Sequence, residues 1–305
     1  MSAFAHSLRG VIAIVASQFA FLLNDTLVKL VSDALPLGQI IFLRGLFAAA
    51  LLAPLAIATG LHRSLPHLWH RMVSWRVVGE LGGTLFYLSA LIHMPLANAT
   101  IIFQAVPLTV TGGAALFLRE AVGWRRWTAI VIGFVGVVMV VRPGLSGFDP
   151  YGLLVLASVL FVSMRDLTTR AMPAVTPTLL VTLATAVAVA IMGALLGLTE
   201  DWVRPSVTHS IQLAGAAIFL SIGYATSILA MRLGEMSVTA PFRYVAVVIA
   251  IALGFVVWRD VPDAMTVLGS AVIVSAGLYT LYREQRTKSS RAALAAASPE
   301  ARTPM

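Results

Sequence analysis

The sequence predicts an all-α integral membrane protein of ten transmembrane helices, arranged as two inverted five-helix repeats with cytoplasmic N- and C-termini. Three observations lead there. Of the 305 residues, 59% are hydrophobic and only 11% charged, with a mean hydropathy of +0.92. A soluble domain carries about 25% charged residues, so water is not the solvent for most of this surface. Apolar stretches such as 11–23, 40–52 and 131–141 run without alternation. Backbone polar groups in hydrocarbon must be satisfied within helices or closed barrels, and unalternating runs exclude the barrel. Finally, the chain repeats. Ser17, Asp25, Lys29 and Pro36 return as Ser158, Asp166, Arg170 and Pro177, displaced by 141. Gly83, Ala90, Arg119 and Glu120 return as Gly223, Ala230, Arg259 and Asp260, displaced by 140. Five crossings per copy send the second copy into the bilayer from the opposite face, the architecture of many secondary transporters.

A helix needs about 20 apolar residues to cross a bilayer. On that ruler the spans are 9–31, 35–58, 75–93, 96–118, 125–142, 150–170, 177–198, 210–232, 236–258 and 263–282. Residues 9–142 form the first repeat, 150–282 the second, and 283–305 a Ser-, Ala- and Arg-rich cytoplasmic tail expected to be disordered. The first apolar run is long and lacks a small-residue cleavage site, so it reads as a retained span. Met94-Pro95 and Gly234-Glu235 make tight hairpins, and Pro143-Gly144 and Ser146-Gly147 link the halves. With the N-terminus inside, fifteen of the 21 basic residues face the cytoplasm and four face out. That bias sets the orientation.

Composition excludes several functions. The net charge of +8 is spread over short loops and the tail, with no basic helix interleaved with aromatics, so no nucleic-acid partner is expected. The chain has no cysteine, hence no disulfide, thiolate metal site or Cys nucleophile. It has no phosphate-binding loop for an ATP-driven pump, no His-Glu-x-x-His and no Gly-x-Ser-x-Gly. No cofactor, metal or enzymatic activity is expected. His62, His67 and His70 lie with Arg63 and Arg71 in a loop that reads as facing lipid head groups. The expected partners are a small-molecule substrate and the lipid bilayer, the chain acting as a monomer in a bacterial inner membrane.

Ionisable groups within hydrocarbon cost at least about 2.5–3.5 kcal/mol each, so they face a bundle interior or a wet cavity. Span 3 sets Glu80, Thr84 and Tyr87 on one face, and span 4 sets Thr100, Gln104, Pro107 and Thr111 on another. In the second half, Ser221 and Tyr224 oppose Thr239, Arg243 and Tyr244. Arg44 lies deep in span 2 and reads as a structural partner of Asp25 or Glu80. Asp25 and Lys29 share a helix face, as do Asp166 and Arg170, and both couples read as structural or gating pairs. Glycines at 79, 82 and 83, at 112 and 113, and at 133 and 136 allow close helix approach. For a zwitterionic substrate, Arg243 and Gln104 are the candidate donors and Asn24 and Glu80 the candidate acceptors. Tyr87, Phe103, Tyr224 and Tyr244 are the candidate wall.

The run 107–144, with Leu118-Arg119-Glu120, Gly133-Phe134-Val135-Gly136 and Arg142-Pro143-Gly144, resembles the EamA-type repeat of the drug/metabolite transporter superfamily. So does Phe42-Leu43-Arg44. The stretch from Ala240-Pro241-Phe242-Arg243-Tyr244 to Trp258-Arg259-Asp260-Val261-Pro262 looks like the matching segment of the second repeat. The resemblance covers about residues 9–283. It implies a ten-helix carrier of small metabolites, with a cavity between spans 1, 3, 4, 6, 8 and 9 and with spans 5 and 10 peripheral. Its subfamily most consistent with this size is the YddG-like amino acid exporters; carriers of S-adenosylmethionine and proton-coupled exporters of cationic drugs share the pattern. Arg119-Glu120 and Arg259-Asp260 stand where Gly-Glu is usual. The expected function is export of amino acids or related amphiphilic metabolites by alternating access. A non-transporting membrane scaffold is the reading from another class.

Overall fold

A computed structural model describes residues 3–120, 122–144, 148–173, 175–233 and 236–297. The side chains of His62, Arg63 and His67, and the Ser146-Gly147 and Gly234-Glu235 turns, lie outside the described residues. Among those described, every regular element is helical. The first half comprises α1 (Ala3–Val31), α2 (Leu37–Ala58), α3 (Arg71–Leu91), α4 (Leu96–Phe103), α5 (Val106–Phe117) and α6 (Trp124–Val141). The second comprises α7 (Tyr151–Arg170), α8 (Thr178–Leu196), α9 (Val207–Leu233), α10 (Met236–Thr239), α11 (Val245–Trp258) and α12 (Ala264–Ala297).

Among the described residues, nine helical stretches are long and apolar enough to cross a membrane, with α4–α5 and the segment Ala240–Trp258 each counted as one. The protein is therefore a multi-pass membrane protein. The tenth helix, α3, falls short because Arg71, Arg76 and Glu80 lie in its first half. Two expected spans are interrupted. Pro107 cannot donate a helical N–H, and span 4 turns at Gln104-Ala105 between α4 and α5. Span 9 begins as α10, tightens to a 3-10 turn over Ala240–Tyr244 and continues as α11. The breaks at 104–105 and 244–245 are 140 residues apart, and they touch: Gln104 Nε2 donates to the Arg243 carbonyl at 3.3 Å. The last span does not end at Tyr282. The segment expected as a disordered tail remains helical through Ala297, consistent with the high helix propensity of its alanines and arginine; residues 298–305 lie outside the described residues.

The packing joins the halves rather than separating them. Helix α1 lies on α9, α3 on α7, α2 on α8, α6 on α12 and α4 on α11. Exchanging residues by the 140–141 offset leaves the first four of these pairings unchanged. Single bonds obey the same exchange: Ser17 Oγ donates to the Gly223 carbonyl at 2.8 Å, and Ser158 Oγ to the Gly83 carbonyl at 3.1 Å. At the crossing of α6 and α12, a methyl group on Gly136 would sit 2.8 Å from the Gly269 carbonyl, and one on Gly269 equally close to the Gly136 carbonyl. Only glycine permits that approach.

One end of the bundle is sealed. Val28, Val31, Leu35, Ile40, Ile41, Leu91 and Leu96 are all buried in one cluster there. Lys29 Nζ donates to the Leu91 and Met94 carbonyls at 2.9 and 2.8 Å, capping the C-terminal end of α3. Glu200 accepts from the Gly38 N–H at the start of α2 (2.9 Å), favourable for a carboxylate at a helix N-terminus. Asp263 caps α12 through the Thr266 N–H at 2.8 Å and pairs with Arg142 at the end of α6. Those two contacts, the N–H first, hold its carboxyl below the ordinary 3.8.

The unusual Arg-acidic pairs occupy strained turns. Helices α5 and α11 both run into an arginine with positive φ, Arg119 at 55° and Arg259 at 61°. The N–H groups of Glu120 and Asp260 then fold back onto the Ala114 and Gly254 carbonyls, each at 3.2 Å. Glycine adopts this left-handed backbone without steric cost, which explains why a glycine is usual there. Replacing exposed Arg259 by Gly is expected to stabilise the protein by about 0.5–1 kcal/mol, read as a higher unfolding temperature in detergent; a lower one contradicts the strain.

Candidate functional site

Opposite the sealed end, the bundle encloses a cavity of about 630 Å³. Every span except those of α6 and α8 contributes to its wall. The polar stripes drawn from spacing point into it. Glu80, Thr84 and Tyr87 line it from α3, and Thr100, Gln104, Pro107 and Thr111 from α4–α5. Asn24, Phe103, Tyr224, Arg243 and Tyr244 line it too, so all eight candidate contact residues share one space. Asp25, Arg44, Asp166 and Arg170 join them, whereas Lys29 does not. Ser221 turns its hydroxyl back to the Ala217 carbonyl at 2.9 Å.

Two polar clusters divide the cavity along its length. The first centres on Glu80. Arg165 Nη1 lies 3.2 Å from Glu80 Oε2, Arg165 Nη2 lies 2.8 Å from Asp166 Oδ1, and Tyr224 OH donates to Glu80 Oε1 at 3.1 Å. Both Glu80 oxygens are thus engaged. Tyr224 is further fixed edge-on by Phe21 at 5.3 Å. Arg165, one of the fifteen basic residues placed on the cytoplasmic side, sits in the cavity wall, five residues inside the end of α7. Its position one residue before Asp166 gave no spacing signal, because adjacent residues on a helix do not share a face.

Deeper in, Asp25 takes hydrogen bonds from neutral donors: Tyr87 OH at 2.9 Å and Asn24 Nδ2 at 2.8 Å. Tyr87 also packs on Phe103 with ring centroids 4.9 Å apart. The expected couples do not form. Lys29 is drawn to the end of α3, and Asp166 is taken by Arg165 rather than Arg170. In each half, a neighbour one position earlier, Asn24 or Arg165, satisfies the aspartate better than the residue four positions later. Arg44 also departs from expectation: no ion pair among the described residues includes it, with Asp25 or with Glu80.

Span 2 contributes Arg44, and α12 contributes Leu281, Glu284 and Gln285. The tenth span is therefore not wholly peripheral; its extension past Tyr282 brings these side chains to the cavity mouth. Among the described residues no group of three or more His, Asp or Glu side chains is placed to hold a metal ion. His70 Nδ1 accepts from the Met72 N–H at 3.2 Å, capping α3. With its fixed charge pairs, aromatic walls and one mouth, the cavity is suited to holding a small amphiphilic molecule.

Comparison with known proteins agrees with this geometry. Residues 8–142 match the EamA-like transporter family. The S-adenosylmethionine uptake transporter of Rickettsia prowazekii is 26% identical over 93% of this chain and 96% of that protein. The pseudopaline exporter of Pseudomonas aeruginosa is 28% identical over 88% and 94%. The riboflavin transporter of Vibrio cholerae is 25% identical over 95% and 99%. A crystal structure of a chain 24% identical superimposes with a TM-score of 0.60, covering 93% of this chain and 99% of that one, which supports the fold. The family and these relatives are transporters and not enzymes.

Removing Arg165 would leave Glu80 and Asp166 without their shared cation, with the paired side chains only 20% and 14% exposed for Arg165 and Glu80. Arg165→Gln is expected to destabilise the protein by about 3 kcal/mol, the low end for a buried pair because both side chains keep some exposure. The Glu80→Gln, Arg165→Gln double variant should recover part of that loss. Additive effects in thermal unfolding would contradict the coupling.

Proposed function

We propose that this chain, whose residues 8–142 match the EamA-like transporter family, moves amino acids or related amphiphilic metabolites across a bacterial inner membrane by alternating access. The matched family and the relatives support a small-metabolite transporter; the substrate, the direction and the mechanism are our reading. One observation carries it: a single cavity, walled by polar side chains from both halves, open at one end and sealed by apolar residues at the other.

The two halves are read as inverted repeats of residues 9–142 and 150–282. The exchange-invariant packing of α1 on α9 and α3 on α7 supports a two-fold relation, and five spans per half make it an inverted one. With cytoplasmic termini, as the basic residues favour, the open mouth beside Glu284 and Gln285 faces the cytoplasm. The state is then inward-open, with Lys29 and the cluster around Leu35 and Leu91 closing the outer side. Substrate entering from the cytoplasm and released outward constitutes export. A symmetric pair of packings gives the protein a second state in which the same contacts are exchanged.

Within the cavity, Arg243 and the break at Gln104 offer donors in the wider part, and Asn24 with Asp25 offers acceptors deeper in. Tyr87, Phe103, Tyr224 and Tyr244 form the wall for an apolar or aromatic side chain. Glu80 is poorly suited to exchange protons, since Arg165 and Tyr224 hold both oxygens. This weighs against the proton-coupled cation exporter. A carrier for S-adenosylmethionine is the second reading, favoured by the Rickettsia relative and by a cavity volume in the range of about 300–1,000 Å³ typical of such ligands. The protein is read as functioning as a monomer, since the cavity is completed within one chain.

Counterflow in proteoliposomes with amino acids, S-adenosylmethionine, riboflavin and quaternary amines, each with and without a pH gradient, tests the reading. Flux of an amino acid or S-adenosylmethionine, lost in Arg243→Ala protein that remains folded, is the expected outcome. Unchanged flux removes Arg243 from the site, and flux of quaternary amines alone, driven by the gradient, replaces the reading with a cation exporter.

A further inference from the structure

Arg44 is the eighth residue of α2, about 10 Å from the helix end at 1.5 Å per residue. It is 6% exposed and lines the cavity, and its buried Nε has no hydrogen-bond partner. A buried, unpaired guanidinium donor is costly, and the cost is recovered only if a partner arrives. Asn24, 2% exposed, lines the same cavity. Its amide orientation is fixed, because the Asp25 carboxylate can only accept and takes the Nδ2 donor. The carbonyl oxygen Oδ1 is consequently left as a buried acceptor without a partner. An unfilled donor and an unfilled acceptor therefore belong to residues that line one space, beside a carboxylate that has only neutral donors.

The repeat makes clear that the fold does not require these charges. The position equivalent to Arg44 is Thr185, whose hydroxyl donates to its own helix at Val181 (2.6 Å) and accepts from Arg76 (2.8 Å). Asn24 corresponds to Arg165, which pairs directly with Asp166. At these positions the second half carries one charge, paired directly, and the first half carries Arg44 outside any ion pair. Packing alone would be served by the same solution twice.

We propose that Arg44, Asn24 and Asp25 form a seat for the head group of an α-amino acid, at the blind end of the cavity. Arg44 receives the carboxylate. The ammonium lies between Asn24 Oδ1 and Asp25, whose oxygens keep spare lone pairs beyond the bonds from Asn24 and Tyr87. The rest of the molecule extends along Tyr87 and Phe103 toward the mouth. A carboxylate gains more here than at Arg243, which is exposed, because charge-assisted bonds strengthen as water is excluded. Arg243 then acts on the approach, and Arg44 holds the seated substrate. This rests on the carrier reading above and names the chemical group its site selects.

The test uses purified protein in proteoliposomes with labelled S-adenosylmethionine or L-phenylalanine in counterflow, competed by the parent compound or by its decarboxylated amine. In the wild type the parent is expected to compete about 100-fold better than the amine, as for a site whose polar groups would otherwise be left unpaired. Arg44→Gln should abolish that preference and Arg44→Lys should keep part of it. Equal competition by amine and parent in the wild type overturns the seat, whether or not any variant folds. A preference that survives Arg44→Gln overturns it too, while the flux itself leaves the carrier reading standing. A wild type that carries neither probe removes the α-amino acid class, and the carrier reading for such substrates falls with it.

Discussion

The fold depends on one constraint: charges in hydrocarbon must be enclosed, and the first half does not enclose Glu80 by itself. Asp25 on α1 is satisfied by Tyr87 on α3, and Glu80 on α3 by Arg165 on α7 and Tyr224 on α9. The strongest helix pairings all cross between halves. The polar cavity and the cross-packed bundle are therefore two aspects of the same arrangement. Each helix turns its charged stripe inward and offers its exposed apolar residues to lipid.

That arrangement also separates what is symmetric from what is not. The supporting contacts obey the repeat: the serine bonds of Ser17 and Ser158 and the left-handed turns at Arg119 and Arg259. The charges within the cavity do not. Arg165 stands where the first half has Asn24, and Thr185 stands opposite Arg44. A scaffold that exchanges its contacts between two equal packings suits alternating access, and an asymmetric interior suits selection of a substrate with its own polarity.

Much of this was legible in the sequence for a physical reason. Spans follow from the hydrophobic thickness of a bilayer, and inward stripes from helical spacing, so the Glu80-Thr84-Tyr87 and Thr100-Gln104-Pro107-Thr111 faces were found by counting. Partner choice was not legible. Spacing four suggested Asp25 with Lys29, yet Lys29 reaches carbonyls at the end of α3, some 62 positions away in sequence. Arg165 escaped notice because it entered only the count of basic residues on one side, and nothing local shows that α3 would bring Glu80 to it. The left-handed backbone at Arg119 and Arg259 was hidden behind a residue type that rarely adopts it. Arg44 was expected to be consumed by an ion pair, and only the three-dimensional packing shows that none is formed.

The chain contains no cysteine, so single cysteines report on access without background. Cysteines placed at Thr111, in the open cavity, and at Leu96, in the sealed end, can be probed with a membrane-impermeant thiol reagent from each side of oriented vesicles during transport. Alternating access predicts that Thr111→Cys reacts from the side of the termini in the resting state. Substrate should then lower that labelling while Leu96→Cys becomes reactive from the opposite side. Simultaneous reactivity at both positions, or accessibility at Leu96 that never changes under transport, would contradict the account.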